Sequence, residues 1–400
     1  MKMGILLVLA CASFLVPVSK AQDASLNITE LTTKNMDFAM NLYRKISSYH
    51  DKNIFFSPLC ISTAFATLSM GAEGLTREEI IKGLNLNLLE RDGQPELIPE
   101  LFQQLQGNIT LNGELQLDQG TALFVRLDFE VEKTFGDQIK KFFNADIQNI
   151  DFANAKASKA TINDYIKRMT GDRVMEAVSD IDPFTQLMLI NTIFFQGKWE
   201  LPFDPKHTEN DRFHVDKYNL VQVPMMFRED KYYHASDNSL KVKVLRLPYE
   251  GDIAMLILLP NKGVDYTSID DEISAEHFLG WVKQLKKTKL EVQVPKFKMD
   301  QSYAMHKILP HLGIASVFEN TANLSGLSRE QGLKVSEVLH KAVIEVDEKG
   351  TRAAAVTVTG MTGYSLPTSF VVNRPFFFFI YHEITNSLLF MGRVIDPTKM

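Results

Sequence analysis

The sequence predicts an α+β fold in which helices are followed by a large mixed β-sheet within one domain. Helical patterns dominate before residue 115, and strand patterns dominate after residue 185. The length of 400 residues would by itself suggest two or three domains. The sequence has no Pro/Gly/Ser-rich linker and no internal repeat, however. We therefore expect a single domain over residues 22–400.

The first 21 residues have the pattern of a secretory signal peptide. Lys2 gives a positive start, residues 5–18 are mostly apolar, and residues 19–21 resemble a small-x-small cleavage site. The apolar run is too short to span a membrane, for which about 18 residues are needed. We expect this segment to be removed and the mature protein to be a secreted, extracellular monomer.

The asparagine positions agree with a secreted glycoprotein, whereas the cysteine positions are uncommon for a secreted protein. Cys11 would leave with the signal, so Cys60 would remain alone and no disulfide within the chain could form. Asn27, Asn108 and Asn323 begin Asn-x-Ser/Thr acceptors, and two or more are expected to carry a glycan. The 43 basic residues nearly balance the 49 acidic ones, which favours neither nucleic acid nor a membrane surface as a partner.

The individual elements follow from short patterns. Residues 53–57 predict a strand that ends at Ser57, which suits the N-cap of a helix, and Pro58 suits its first position. Six later runs predict strands, some continuously apolar as in buried strands and some alternating. These runs cover residues 187–199, 243–247, 254–259, 290–298, 376–380 and 388–394.

Residues 348–367 are the unusual part of the chain. From 351 to 359 they contain only Thr, Ala and Val apart from Arg352, which favours a strand. With a period of two, residues 351, 353, 355, 357 and 359 share one face, and all are small. Such a segment could enter between two strands without a clash. An unpaired strand-former is normally an aggregation hazard, so keeping it out of the sheet must serve a purpose.

Five long motifs in order identify the resemblance of this chain to the serpin family. They are N-I-F-F-S-P-L-C-I-S-T-A-F, N-T-I-F-F-Q-G-K-W-E-L-P-F, L-P-Y-E-G-D-I-A-M, E-V-D-E-K-G-T-R-A-A-A, and N-R-P-F-F-F-F-I with L-L-F-M-G-R-V. The resemblance covers the whole chain after the signal. It implies the serpin fold, with helices, large mixed β-sheets and an exposed, metastable reactive-centre loop at about 348–367.

The resemblance implies a suicide inhibitor of serine proteases rather than an enzyme. The bait would be the Tyr364–Ser365 bond, and the freed loop would insert into the sheet together with the attached protease. Insertion would begin at a hinge whose residue Glu348 would pair with Lys296. The hinge comprises Glu348, Gly350, Thr351, Ala353 and Ala355.

Arg352 departs from the family, which usually has Glu at this position. It lies on the face opposite the small residues and should stay in solvent after insertion. The alternative is a non-inhibitory serpin, such as a carrier or a hormone precursor, whose loop is only a substrate. Such relatives often carry bulky or charged residues on the inserting face, and none occurs here.

Tyr364 bears on the target. A chymotrypsin-like pocket would accept it, whereas a trypsin-like pocket would be left with an unpaired carboxylate. F-H-V-D-K-Y-N, P-K-F-K-M-D-Q-S-Y-A-M-H and T-G-Y-S-L-P resemble a serpin subgroup of blood coagulation. That resemblance implies that protein Z on phospholipid brings the inhibitor to factor Xa, which would supply the missing affinity as effective concentration.

The subgroup's surface for protein Z corresponds here to five residues. These are Asp51, Asp216, Lys217, Tyr218 and Asp271. Ser48 stands where the subgroup has a methionine, which is a departure within that surface. For each acidic residue taken alone, simple surface charge is the plainer interpretation.

Heparin binding is expected to be weak or absent. Residues 90–118, which should contain the family's heparin helix, have one basic residue, Arg91, against six acidic ones. Lys283, Lys286, Lys287 and Lys289 form a basic cluster elsewhere, but lysines are ordinary at the C-terminus of a helix.

No pattern for catalysis, a cofactor or a metal is evident. G-x-S-x-G, C-x-x-C, G-x-G-x-x-G and P-loop sequences are absent. His382 and Glu383 begin like a zinc-protease helix, but the segment ends in Asn386 and follows four phenylalanines. We expect a turn between strands there, and no metal or cofactor.

Overall fold

A computed structural model describes residues 18–110, 116–174, 176–349 and 368–399 of the chain. The predicted bait bond and most of the predicted hinge lie outside these ranges, as does Cys11. The side chain of Asn27 also lies outside the described part. Within the described residues, the helices are α1 (Val18–Ser47), α2 (Pro58–Ser69), α3 (Gly74–Gly83), α4 (Leu97–Thr110), α5 (Lys133–Phe143), α6 (Ala155–Met169), α7 (Thr267–Asp270) and α8 (Ala275–Gln284).

Strands occupy most of the second half of the chain, as the sequence predicts. They are β1 (Ile54–Phe56), β2 (Gln116–Arg126), β3 (Asp146–Ile150), β4 (Leu187–Gln196), β5 (Glu209–His214), β6 (Leu220–Asp237), β7 (Val242–Pro248), β8 (Ile253–Pro260), β9 (Lys286–Pro295), β10 (Phe297–Ala304), β11 (Glu337–Val346), β12 (Thr368–Val371), β13 (Phe376–His382) and β14 (Ser387–Val394).

The strands of the described chain form two sheets. A nine-stranded sheet has the order β1-β14-β13-β8-β7-β6-β9-β12, with β5 paired to β6 beside this path. A five-stranded sheet has the order β10-β11-β4-β2-β3. The α+β fold class with large mixed sheets is therefore confirmed, since β4 and β11 pair in parallel while β10 and β11 pair antiparallel.

Local signals placed several elements correctly. The hydroxyl of Ser57 accepts the N–H of Cys60, and Pro58 opens α2. This is the predicted cap, and it leaves α2 buried along its whole length. The continuously apolar runs became β4 and β8, in which all residues but Gln196 are buried. Residues 383–386 form a turn between β13 and β14, as expected.

The core lies between the sheets and the helices. Within the described part, one large apolar cluster joins α1, α2 and both sheets, and Phe55 stacks on Phe390 there at 5.2 Å between ring centres. A second cluster lies between α6 and the five-stranded sheet, where Tyr165 meets Phe124 edge-on at 5.8 Å. The outer face of the five-stranded sheet is thus covered by a helix.

Packing replaces cross-links in this fold. The thiol of Cys60 is buried, which raises its pKa to about 12, so it remains protonated. The side chain of Asn53 holds the end of the chain by accepting the N–H groups of Ile395 and Asp396 and donating to the carbonyls of Asp396 and Lys399. None of the described helices combines the length and the hydropathy needed to cross a membrane.

Candidate functional site

The predicted reactive loop connects the two sheets. β11 ends at Val346 in the five-stranded sheet, and β12 begins at Thr368 on the edge of the nine-stranded sheet, where it pairs in parallel with β9. The segment between them contains the candidate loop residues that the structure does not describe. These are Gly350, Thr351, Ala353, Ala355, Tyr364 and Ser365.

Glu348 is held where β11 ends. Its Oε2 lies 2.8 Å from Nζ of Lys296, and its Oε1 accepts the hydroxyl of Thr208 at 2.8 Å. The backbone N–H of Phe203 donates to its carbonyl at 3.0 Å. Burial raises the pKa of Glu348, but the hydrogen bonds from Lys296 and Thr208 outweigh burial and hold that pKa below its usual value. The carboxyl group of Glu348 is therefore charged, and the chain is held in place at Glu348, just before the predicted loop.

Trp199 anchors the same turn, a role that no motif in the sequence indicates. Its indole Nε1 donates to the carbonyl of Asp347 at 2.8 Å, and its ring stacks on Tyr249 at 4.0 Å. A buried tryptophan whose N–H needs a partner was the available signal. The sequence does not specify the carbonyl of Asp347 as that partner. Trp199 follows β4 and Asp347 follows β11, so the two meet only because these strands pair.

A buried polar chain crosses the line between β4 and β11. The N–H of Ser57 donates to Nε2 of His340 at 3.0 Å, so that nitrogen is unprotonated and Nδ1 donates to Oδ1 of Asn191 at 2.8 Å. Asn191 in turn donates to the hydroxyl of Thr121 on β2 at 3.0 Å. Complete burial lowers the pKa of His340 to about 3, so the ring is neutral.

The parallel pairing of β4 with β11 determines the direction in which a segment inserted between them would run. The two strands pair in parallel from Glu337 opposite Met188 to Ile344 opposite Phe195. A segment that follows β11 and turns back would run antiparallel to β11, and therefore also to β4. Its insertion would replace one parallel pairing by two antiparallel pairings, which are slightly more stable per residue.

Two of the candidate docking residues belong to neighbouring segments. Asp51 is exposed just after α1, and Asp271 is exposed at the C-terminal end of α7. Burial raises the pKa of the Tyr266 hydroxyl, and the nearby charges of Asp51 and Asp270 raise it further, against the lowering effect of Arg393. The structure therefore brings the Asp51 segment and α7 together. Ser48 lies in an exposed turn after α1.

The other three candidate docking residues lie in the turn between β5 and β6. Asp216 folds this turn, because its Oδ1 accepts the N–H groups of Tyr218 and Asn219 at 2.7 Å. The hydrogen bond from the side-chain amide of Asn219, followed by these two backbone hydrogen bonds, lowers the pKa of Asp216. Lys217 is exposed, and Tyr218 is 93% exposed, so both side chains are accessible to a partner.

The lysine cluster was attributed above to the C-terminus of a helix. This attribution is wrong for three of the four lysines. Only Lys283 lies in the last turn of α8, which ends at Gln284. Lys286, Lys287 and Lys289 lie on β9. Lys287 is over the ring of Tyr233, and Lys289 pairs with Glu229, so part of the cluster is already engaged.

Two of the predicted glycosylation sites can be examined in the described part of the chain. Asn108 is exposed in the last turn of α4, and Asn323 is exposed in a loop where its Oδ1 accepts the N–H of Ser325 at 3.3 Å. Both side chains are accessible. No group of three or more His, Cys, Asp or Glu side chains suited to a metal occurs in the described part.

Comparisons with known proteins agree with this geometry. The family described as Serpin (serine protease inhibitor) matches residues 33–397. The chain is 40% identical over 372 residues to the Protein Z-dependent protease inhibitor of Mus musculus, covering 93% of this chain and 83% of that protein. It is 37% identical over 382 residues to the Plasma serine protease inhibitor of Homo sapiens, covering 94% of this chain and 93% of that protein.

Solved structures give the same result. The crystal structure of mouse protein-Z dependent protease inhibitor matches with a TM-score of 0.88 and 38% identity, covering 94% of this chain and 99% of that one. The structure of human thyroxine-binding globulin complexed with thyroxine matches with a TM-score of 0.86 and 35% identity, covering 93% of this chain and 99% of that one.

Proposed function

Because the chain belongs to the serpin family, we propose that it is a secreted serine protease inhibitor that acts as a suicide substrate through the Tyr364–Ser365 bond. The main support is the direct parallel pairing of β4 with β11, beside a following segment that has one face of small residues. In this proposal β4 and β11 separate, and the strand-forming segment that follows β11 enters between them. Residues 1–21 serve as the signal in this proposal.

The chemical step belongs to the protease. Its serine oxygen attacks the carbonyl carbon of Tyr364, the peptide bond to Ser365 breaks, and the amine of Ser365 leaves. An ester then joins Tyr364 to the protease. Hydrolysis of this ester would release an active protease, so inhibition requires the loop to insert before water attacks.

Insertion is favourable because it pairs backbone groups. Loop N–H and C=O groups exchange water for partners on both neighbouring strands, and each added hydrogen bond contributes about 1 kcal/mol net. After insertion, the small side chains of Thr351, Ala353 and Ala355 would face the layer beneath the sheet, so their entry would need little rearrangement. Arg352 would then point the other way, into solvent.

The proposed target follows from Tyr364 together with the relatives. A chymotrypsin-like protease accepts tyrosine directly. For a coagulation protease such as factor Xa, a cofactor that holds both partners supplies the missing affinity as effective concentration. Relatives named Protein Z-dependent protease inhibitor support protein Z as that cofactor. In this proposal protein Z acts while bound on phospholipid.

We assign the docking of protein Z to the five exposed residues identified from the sequence. These are Asp51, Asp216, Lys217, Tyr218 and Asp271. The Ser48 departure removes one apolar contact, so we expect weaker docking than in the relatives. Heparin has little part in this proposal, since α4 carries Glu100 and no basic residue.

The second candidate is a non-inhibitory carrier, for which human thyroxine-binding globulin is the relevant structural neighbour. Loop insertion discriminates the two functions. An inhibitor whose loop is cut should show a much higher Tm, because the sheet gains a strand. A carrier whose loop does not insert should show no rise.

The decisive experiment mixes the purified protein with chymotrypsin and with factor Xa, each with and without protein Z and phospholipid vesicles. A covalent band that resists denaturant should form, and Tyr364→Ala should abolish it without loss of Tm. Sequencing of the released C-terminal fragment should begin at Ser365. Any other first residue would refute the bait assignment, and cleavage without a covalent band would favour the carrier.

A further inference from the structure

A buried hydrogen-bonded group lies behind the proposed docking residues Asp51 and Asp271. The hydroxyl of Tyr43 on α1 donates to Oδ1 of Asp270 at 2.5 Å. Nη1 of Arg393 on β14 donates to Oδ2 of the same carboxylate at 2.5 Å. Asp270 is the residue directly before Asp271, so this group fixes the end of α7 from below.

The other amino group of Arg393 reaches the segment that carries Asp51. Nη2 donates to the carbonyl of His50 at 2.7 Å and to the carbonyl of Lys52 at 3.1 Å. These two carbonyls lie on either side of Asp51 in the chain. A single guanidinium therefore joins the backbone around Asp51 to the side chain next to Asp271.

The arrangement separates a buried support from an exposed surface. Arg393 is 1% exposed, whereas Asp51 and Asp271 are both exposed. The guanidinium carbon lies 5.3 Å from the ring centre of Tyr266, which closes the space between α7 and the Asp51 segment. Arg393 cannot touch a partner protein, but it can set the distance between the two carboxylates that do.

We propose that Arg393 is the positioning residue of the acidic part of the docking surface, formed by Asp51 and Asp271. This inference rests on the proposed docking of protein Z and names the buried group on which it depends. Arginine suits the task because its planar fork has five donors that can serve several acceptors at once. A lysine carries the same charge but cannot hold one carboxylate and two carbonyls in this geometry.

The expected partner face is complementary to this surface. Asp265 and Glu272, on either side of α7 in the chain, are also exposed, so acidic side chains outnumber the exposed Lys52 beside Asp51. A docking face that carries basic side chains fits it. Fixed spacing of Asp51 and Asp271 should raise the affinity for the partner, because a mobile pair would lose conformational entropy on binding.

The first test is Arg393→Lys in the full-length protein. Its affinity for protein Z on vesicles that contain phosphatidylserine should fall by about tenfold. The rate of chymotrypsin inhibition without protein Z should stay unchanged, which a general loss of structure would not allow. The matched control is Arg246→Lys, since Arg246 also holds a carboxylate, that of Glu383, with two nitrogens. This control should bind protein Z like wild type.

A second variant covers the case in which Arg393→Lys does not fold. Replacing Tyr43 by Phe, Asp270 by Leu and Arg393 by Met together removes the whole polar group and leaves no unpaired buried charge. This triple variant should fold and inhibit chymotrypsin, yet it should lose affinity for protein Z because the carbonyls of His50 and Lys52 are no longer held.

Asp51→Ala and Asp271→Ala complete the design. If both weaken binding of protein Z while Arg393→Lys and the triple variant bind like wild type, the positioning role is wrong and docking stands. If wild type does not bind protein Z, or both alanine variants bind it as wild type does, the proposed docking is wrong, and the role of Arg393 is overturned with it.

Discussion

His340 on β11 and Asn191 on β4 lie directly opposite each other and share a hydrogen bond of 2.8 Å between Nδ1 and Oδ1. The bond crosses the line along which the two strands must separate if the loop is to enter. Opening of the sheet must therefore break a buried polar contact, whose groups would be costly to leave unpaired.

Acid should weaken this contact through His340. Its pKa is lowered to about 3 in the folded protein by burial, whereas an unfolded histidine has a pKa of about 6.5. Between these values the unfolded state binds the additional proton. The free energy of unfolding should therefore fall by up to about 1.4 kcal/mol per pH unit as the pH drops below 6.5.

Urea unfolding of wild type and His340→Gln between pH 7.5 and pH 4.5 measures this slope. Burial also lowers the pKa of His306 and His382, but both proteins contain these residues. The difference between the two slopes therefore isolates His340. Equal slopes would mean that His340 does not couple the sheet to pH.

Glu348→Gln should loosen the start of the loop. It removes the charged hydrogen bond from Lys296, whose side chain is 37% exposed, so solvent screening limits the loss to about 1–2 kcal/mol. Because the pKa of Glu348 is lowered when folded, its contribution should be present above the unfolded pKa of about 4.3 and lost at lower pH. Urea midpoints at pH 7 and pH 3.5 check this prediction. Lys298→Gln, an exposed change on β10, is the control and should have little effect.

Thr351→Arg should convert the inhibitor into a substrate. Insertion of this variant would bury an unpaired cation in the sheet, which costs about 3–5 kcal/mol. Attack on Tyr364 should be unaffected. The number of inhibitor molecules consumed per protease inactivated should therefore rise. Arg352→Glu, on the solvent face, should leave that number unchanged, and an equal rise in both variants would contradict the assigned faces.

Asp271→Ala should slow inhibition only when protein Z and phospholipid are present. The residue is exposed at the end of α7 and has no part in the bait or the sheet. Rate constants with factor Xa, with and without the cofactor, measure the effect, and chymotrypsin without cofactor provides the control. A similar slowing in the control would show that Asp271 acts through stability rather than docking.

Gly392→Ala should destabilise the nine-stranded sheet where β14 pairs with the edge strand β1. An added Cβ would lie 2.5 Å from the ring of Phe378 and 2.7 Å from the carbonyl oxygen of Ile54. The backbone contact cannot yield easily, so we expect a loss of about 1–3 kcal/mol. Gly280→Ala in α8 is the control, since nothing lies within 4 Å of its Cβ, and it should stabilise by about 0.5–1 kcal/mol. Thermal unfolding of both variants decides the matter.

Sequence reasoning worked where the signal was local. Ser57 and Pro58 predicted the start of α2, and the apolar run from Leu187 predicted β4. It failed at Lys286, because the end of α8 at Gln284 could not be located from charge alone. Residues 220–237, which form the longest strand of the described chain, carry no comparably clear local pattern.

Contacts between distant segments cannot be predicted from local sequence patterns. Arg393 meets the carbonyl of His50, and His340 meets Asn191, only after strands far apart in the chain have paired. Nothing in the neighbouring residues of either partner specifies the other. The pairing of Glu348 with Lys296 was predicted through family resemblance rather than from local pattern.

The position of β13 and β14 has a consequence for the product of cleavage. Both strands follow the bait bond in the chain, yet they lie inside the nine-stranded sheet between β1 and β8, and Asn53 fastens the residues behind them. A cut between Tyr364 and Ser365 would therefore not shorten the folded protein. It would create a heterodimer of a long and a short polypeptide that co-purify under native conditions and come apart only in denaturant.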